Sequence, residues 1–407
     1  MARHIDMRRS RRFALFSALV AGVVTVGVAP GSAHKPITSP YTYNEDVFPV
    51  LRDRCGRCHV PGGVAPMSLM THADTVPWGE SIRMELLAGH MPPWSVDAAP
   101  SRFLNMQPLT AREMNVLLTW ATGGTPLGDP DKSPTPPTLN HGWVLGPPDL
   151  QLLLPSEFAL GASTQEDTID FVIPTGTRER RFVRAVDLLP GTPSIVRAAT
   201  VRVRSAPSTP SGTPSPEPVL AVWLPGDEPV ALDDAAFELP AGAELLVRVH
   251  YKKTWQFERK EMRDRSTVGL YFASSPSTAV RAITLSPDAS VSGAATPGRL
   301  SFGRTLDEDV QALAIYPGND IDKASVVVTA VTPNGSRREL IAFHPRAGWS
   351  RRYWFRQPIA LARGTRLDAT VTLDDQASLL PLSAAPARPR RQDSATIRLT
   401  VNVVAAR

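Results

Sequence analysis

The chain contains two cysteines, three positions apart, with a histidine directly after the second: Cys55-Gly56-Arg57-Cys58-His59. Two thiols at that spacing can be joined to the vinyl groups of one haem, while the adjacent imidazole takes an axial position on its iron. Three plainer readings compete. A disulfide or dithiol redox pair has no use for His59 and usually opens a thioredoxin-like βαβ pattern, which is missing here. Structural zinc needs four ligands, and there is no second cysteine pair. Against two stray thiols stands the use of the whole cysteine complement in one motif. The spacing points to one covalent haem c on Cys55 and Cys58, with His59 as the proximal ligand.

A sixth iron position is either open or filled. Met91 lies in Gly89-His90-Met91-Pro92-Pro93-Trp94, where two prolines fix the following backbone and lower the entropic cost of holding a flexible thioether. Met91 is the expected distal ligand and His90 its rival. A Met/His pair fills the coordination sphere and raises the potential, which suits electron transfer better than oxygen activation. Met67, Met70, Met84 and Met106 read as core filler, His72 as a solvated loop residue and His141 as a surface histidine.

Helices must position these groups. Thr42-Tyr43-Asn44-Glu45 has the form of a capping box, and Val47, Val50 and Leu51 follow at helical spacing, with Pro49 forcing a kink or a late start. Trp78, Ile82 and Leu86 predict a helix from about Trp78 to Ala88, ended by Gly89. Thr110-Ala111-Arg112-Glu113 is another capping box, opening a helix striped by Met114, Leu117, Leu118 and Ala121 and stopped at Gly123. Three short helices around one haem predict a small all-α, class I cytochrome c domain over 41–127.

The formal charge of +5 is carried mostly by residues 1–33, where Arg3, Arg8, Arg9, Arg11 and Arg12 face one acid, Asp6. The remainder is close to neutral and has no electrostatic reason to bind nucleic acid. A basic start, an apolar run from Phe13 to about Val28 and Gly31-Ser32-Ala33 predict a signal peptide over 1–33, with a retained membrane anchor as the alternative. No later segment is apolar for long enough to span a membrane. Export to the periplasm or cell envelope agrees with haem attachment there.

Residues 128–148 are rich in proline and polar residues and read as a semi-rigid linker. Beyond Asp149 come short β-branched runs bounded by Pro, Gly and Asp, such as 170–173, 195–203, 245–251, 268–272, 326–331 and 369–373. They predict two all-β, jelly-roll-like sandwich domains, 149–275 and 276–407. Residues 205–217 and about 376–393 are low-complexity loops, and the acidic group Asp227, Glu228, Asp233 and Asp234 reads as a solvated face.

Taken together, Cys55, Cys58, His59, Ala65-Pro66-Met67-Ser68-Leu69 and Met91-Pro92-Pro93-Trp94, then Val172-Ile173-Pro174-Thr175-Gly176, Trp223-Leu224-Pro225-Gly226, Leu239-Pro240-Ala241-Gly242, Val249-His250-Tyr251, Val268-Gly269-Leu270-Tyr271-Phe272 and Trp349-Ser350-Arg351-Arg352-Tyr353, resemble a bacterial fusion. In it a mono-haem class I cytochrome c precedes a tandem β-sandwich of the copper type II, ascorbate-dependent monooxygenases, the peptidylglycine and dopamine hydroxylating group. The resemblance implies two coppers. One would be held by a histidine pair and a third histidine; here Arg197 and Ala198 stand for the pair and His250 alone survives. The other would use a P-H-x-H segment and a later methionine; here the segment reads Pro317-Gly318-Asn319-Asp320, and no methionine follows Met262. A copper site needs two or three converging N or S ligands, so copper is not expected. His250 is then a half-buried strand residue at a residual ligand position, and His344 is isolated in the same way.

No other catalytic set stands out: no G-x-S-x-G, H-E-x-x-H or phosphate loop. The expectation is an exported cytochrome passing single electrons to redox partner proteins, its degenerate β half serving as a docking or ligand-recognition platform. Two alternatives stand beside it. One is an active copper monooxygenase fed by its own haem; the other is a structural or carbohydrate-binding β protein, taking a small-molecule or glycan ligand, with an auxiliary haem.

Overall fold

The computed structural model describes residues 37–93, 96, 100–104, 106, 108–139, 142–204, 218–274, 278–287, 299–318, 324–346, 348–373 and 397–406. The expected signal peptide, Trp94, His141, residues 205–217, residues 376–393, and Asn319 with Asp320 lie outside them.

Three short helices form near the start: α1 (Phe48–Arg54), α2 (Gly79–Leu87) and α3 (Ala111–Thr122). A π turn, Tyr43–Val47, leads into α1, and Pro49 occupies its first turn, where a missing N–H costs nothing. Because a π turn is one residue wider, the Thr42 N–H is met by the Asp46 carboxylate (2.9 Å) and the expected box with Glu45 does not close. At α3 the box is complete in both directions. Tyr43, Leu51, Leu117 and Trp120 are almost fully buried between these helices. Tyr43 Oη donates to the Leu69 carbonyl (2.9 Å) and Trp120 Nε1 to the Pro126 carbonyl (3.0 Å), so the polar tips of both rings are satisfied.

Strands make up 41% of the protein and helices 16%. Four large sheets stand in a four-bladed, propeller-like arrangement. Sheet 1 runs Leu150–Leu153, Thr267–Phe272, Arg181–Leu189, Ala235–Leu239, Thr278–Ala279. Sheet 2 runs Glu166–Pro174, Glu244–Lys252, Val196–Arg204, Val219–Trp223. Sheet 3 runs Arg281–Leu285, Leu399–Ala405, Val310–Pro317, Tyr353–Leu361. Sheet 4 runs Arg299–Thr305, Arg366–Leu373, Ala324–Val331, Arg337–Phe343. Strict alternation sets the faces. In Val196–Arg204, Val201 and Val203 enter a core shared by sheets 1 and 2, leaving Thr200 and Arg202 on the opposite face. Sheets 3 and 4 enclose a separate core.

The expected fold class, an all-α cytochrome c domain followed by two jelly-roll-like sandwich domains, is overturned. Helices of 7, 9 and 12 residues bury a small core of their own but form no cytochrome-like all-α domain. Between α2 and α3 the chain is drawn into the β mass. Val96 bridges to Phe343 and Phe103 to Phe355, and the Leu104 N–H donates to the Trp354 carbonyl (2.8 Å). Phe103 and Met106 lie inside the core of sheets 3 and 4. The molecule is predominantly β, with a helical segment threaded into it.

Arg352 holds the two β cores together. Its guanidinium lies 4.6 Å from the ring centre of Tyr316, 5.3 Å from Trp354 and 5.4 Å from Phe237. It donates to the carbonyls of Val219 (2.7 Å) and Leu220 (2.9 Å), which belong to sheet 2. Burial lowers its pKa. Arg352→Ala removes both donors and the cation held by the three rings. It is expected to cost about 3 kcal/mol of stability, read from the midpoint shift in chemical denaturation; an unchanged midpoint would show that the two β units hold together without it.

Candidate haem-attachment site

The Cys55 N–H closes the end of α1 on the Leu51 carbonyl (2.8 Å), and the N–H groups of Cys58 and His59 both donate to the Cys55 carbonyl (3.1 and 2.9 Å). The loop is tight. A Cβ at Gly56 would lie 2.5 Å from the Arg52 carbonyl oxygen, so only glycine fits between the cysteines at that position. His59 is buried, with Nδ1 3.1 Å from the Met67 carbonyl. A carbonyl only accepts, so Nδ1 carries the proton and the neutral ring keeps its lone pair on Nε2. Burial also lowers the His59 pKa, favouring the neutral, ligating form. The two thiols are not joined to each other. Burial pushes Cys55 up to about 12 and Cys58 up to about 11, so both stay protonated at neutral pH. That disfavours thiolate metal binding and disulfide exchange alike.

A turn of the β half roofs this loop. Cys58 Sγ lies 3.6 Å from the Pro225 carbonyl oxygen, and Gly226 has a positive φ of 78°. A Cβ at Gly226 would meet Arg57 Cβ at 3.1 Å and Cys58 Sγ at 3.2 Å. Arg57 donates to the Gly226 carbonyl (3.2 Å) and pairs with Glu228 (2.5 Å). Asp227 pairs with Arg351, which is 6% exposed and also reaches Met106 Sδ (3.7 Å). Arg197, standing where the resemblance expects a copper histidine, donates to the Val64 carbonyl just after the haem motif and to the Lys252 carbonyl (3.1 Å). Burial pulls Arg197 and Arg351 down to about 10, and both remain cationic at neutral pH.

The structure thus gathers Cys55, Cys58 and His59 on one loop and places the other candidates elsewhere. Met91 lies beyond α2 and is 38% exposed, on a loop fastened by Arg346 to the carbonyls of Gly89 (2.8 Å) and His90 (2.9 Å). His90 is exposed beside Glu85 (3.1 Å). His250 sits opposite Thr168 and Ala198 in sheet 2, with Nδ1 3.0 Å from Thr168 Oγ1; His344 is exposed. Among the described residues no three His, Cys, Asp or Glu side chains converge as a metal group. Met70 and Met106 are buried as core filler should be, whereas Met84 is 58% exposed. His72 is a fastener rather than a solvated residue: Nε2 lies 2.8 Å from the Thr125 carbonyl and the ring stands edge-on to Tyr43.

Sequence reasoning overlooked the acidic turn. While Asp233 and Asp234 are exposed as expected, Asp227 pairs with Arg351 and Glu228 with Arg57 of the cysteine loop. Their signal lay in Trp223-Leu224-Pro225-Gly226 and Arg351-Arg352, which carried no local sign of a mutual contact.

Beside the loop opens a cleft of about 400 Å³ between Gly56 and Arg57, the linker residues Leu139 and Val144, and Asp187 with Trp223. Asp187 is 5% exposed. Burial raises its pKa to about 6, against the pull of the Leu188 and Val144 N–H groups and the Trp223 indole.

No family model matches the chain, and no curated protein matches it. Solved structures similar in part include a putative alpha-L-fucosidase from Bacteroides ovatus (10% identity, 54% of this chain and 35% of that one, TM-score 0.19). Others are the STIV MCP (9%, 63% and 95%, TM-score 0.26) and a Paenibacillus xanthan lyase (9%, 68% and 28%, TM-score 0.16). The chain spans about a third of the fucosidase's length. TM-scores this low carry no argument about fold or activity.

The raised pKa of Asp187 predicts a pH dependence. The folded state binds this proton more tightly than the unfolded chain, whose aspartates titrate near 4 (about 3.9). The stabilising contribution is complete below about 4 and lost as pH rises through about 6. The stability of Asp187→Asn relative to the parent should therefore rise by about 3 kcal/mol between pH 4 and 8. A flat difference in denaturation midpoints across that range would contradict it.

Proposed function

We propose that the protein is an exported electron-transfer protein carrying one covalent haem c on Cys55 and Cys58. His59 would hold the iron as one protein ligand, and Met91, on the exposed loop beyond α2, would supply the second. The observation that carries this reading is the state of the three motif residues. Two protonated thiols share a tight loop with an imidazole whose Nδ1–H is held by the Met67 carbonyl, so that Nε2 bears the lone pair. These residues fit the group. Bound haem would supply a one-electron Fe(III)/Fe(II) couple. The protein's part is to fix the imidazole, to cover one thiol with the Pro225–Gly226 turn, and to set a field with cationic Arg197 and Arg351, which favours the reduced state. The β half serves as a docking or recognition platform for redox partner proteins. Among the described residues no helix is long and apolar enough to cross a membrane.

The copper-monooxygenase reading lacks support from the ligand positions, because Arg197 is committed to backbone carbonyls and His250 has no companion histidine within a metal group among the described residues. Metal analysis of protein matured in a haem-attaching host separates the two. One iron per chain without stoichiometric copper is expected; two coppers and oxygen turnover would overturn the proposal. Cys55→Ala or Cys58→Ala should abolish double covalent attachment, read by haem staining and by the shift of the reduced α-band. Met91→Ala should remove the far-red sulfur-to-iron band and lower the potential. If His90→Ala does this instead, the axial assignment moves to His90.

A further inference from the structure

A second cleft, of about 450 Å³, opens between the outer faces of sheets 2 and 3, away from the haem loop. That volume suits a sugar-sized ligand. Sheet 2 contributes Thr200, Arg202 and Arg248; sheet 3 and its flanks contribute Thr284, Tyr316, Arg398 and Thr400. The placement follows from alternation. Val201, Val203, Val247 and Val249 fill the core, so Thr200, Arg202 and Arg248 must face outward, and Thr200 lies directly across from Arg248.

The chemistry is one-sided. Three guanidinium groups line the cleft and no carboxylate does. Asp170, directly opposite Arg248 on the neighbouring strand, pairs with it through two bonds (2.7 and 2.7 Å), and its charge also reaches Arg202. Arg202 is the informative member. Its Nε is buried and donates to no acceptor among the described residues. A buried guanidinium N–H without a partner is costly and calls for an acceptor. Thr200, Thr284 and Tyr316 line the same cleft.

We infer that this cleft binds a small molecule through an oxyanion (carboxylate, sulfate or phosphate), held by Arg202, Arg248 and Arg398. Planar guanidinium groups pair with such oxygens in forked geometry. The hydroxyls would complete the shell, and the meeting of two β units makes the site sensitive to their alignment. The site is independent of any haem.

The test is calorimetric titration of the full chain at constant ionic strength with inorganic phosphate, galacturonate and galactose. Galacturonate differs from galactose in its one carboxylate. Saturable binding of phosphate, galacturonate or both, without binding of galactose, is expected; which anion binds tells phosphate-type from carboxylate recognition. Arg202→Gln and Arg398→Gln should each weaken it at least tenfold. Arg398 is exposed and stands just before the strand Leu399–Ala405, so its variant keeps the test sharp should Arg202→Gln fold poorly. Saturation by galactose, failure of both anions, or parental affinity in both variants would overturn the inference.

Discussion

Two adjacent arginines reach in opposite directions, and the three parts of the molecule meet on them. Arg351 extends to Asp227 and Met106, beneath the turn that roofs Cys58. Arg352 extends into a box of three aromatic rings and caps two strand carbonyls of the first β unit. Both are nearly inaccessible to water. Burying a guanidinium is unfavourable unless it is compensated; Arg352 leaves its Nε unmet, but its terminal nitrogens and its ring contacts find partners from different regions of the chain. The helical segment and the two β units are thereby held in one alignment, and the field around the cysteine loop depends on that alignment.

The same constraint explains why departures from the resembled copper enzymes need not be decay. Arg197 occupies a position expected to hold a histidine, yet it grips the Val64 carbonyl and so ties sheet 2 to the loop that follows Cys55-Gly56-Arg57-Cys58-His59. What would be a lost ligand in one scheme is a fastening in this one. His250, one strand across, keeps a hydrogen bond to Thr168 and the ordinary burial of a strand residue.

Local features were legible in the sequence, and distant pairings were not. The Thr110–Glu113 box, the stop at Gly123 and the β-branched runs depend on neighbours a few residues away, and each lies where the pattern indicated. The box at Thr42 failed because a π turn shifted the partner by one residue. The expected fold class failed for a different reason. Phe103 and Met106 read like any apolar residues between helices, and nothing in their spacing says that they complete a core built from strands far downstream. Within the candidate site, Cys55, Cys58 and His59 were visible as a motif, whereas Asp227, Gly226 and Arg351 acquire meaning only from contacts across more than a hundred residues.

That threading has a bearing on biosynthesis. Arg356 Nε donates to the Ser101 carbonyl at 3.1 Å across 255 residues of sequence, and Phe103 leans on Tyr353 and Phe355 at ring separations of 6.0 and 5.3 Å. The ribosome delivers the amino end first, so the stretch that carries Phe103 and Met106 must wait uncovered until almost the whole polypeptide has emerged. Closing so wide a loop is entropically slow. The interval leaves the cysteine loop open to modifying enzymes before the Pro225–Gly226 turn seals it.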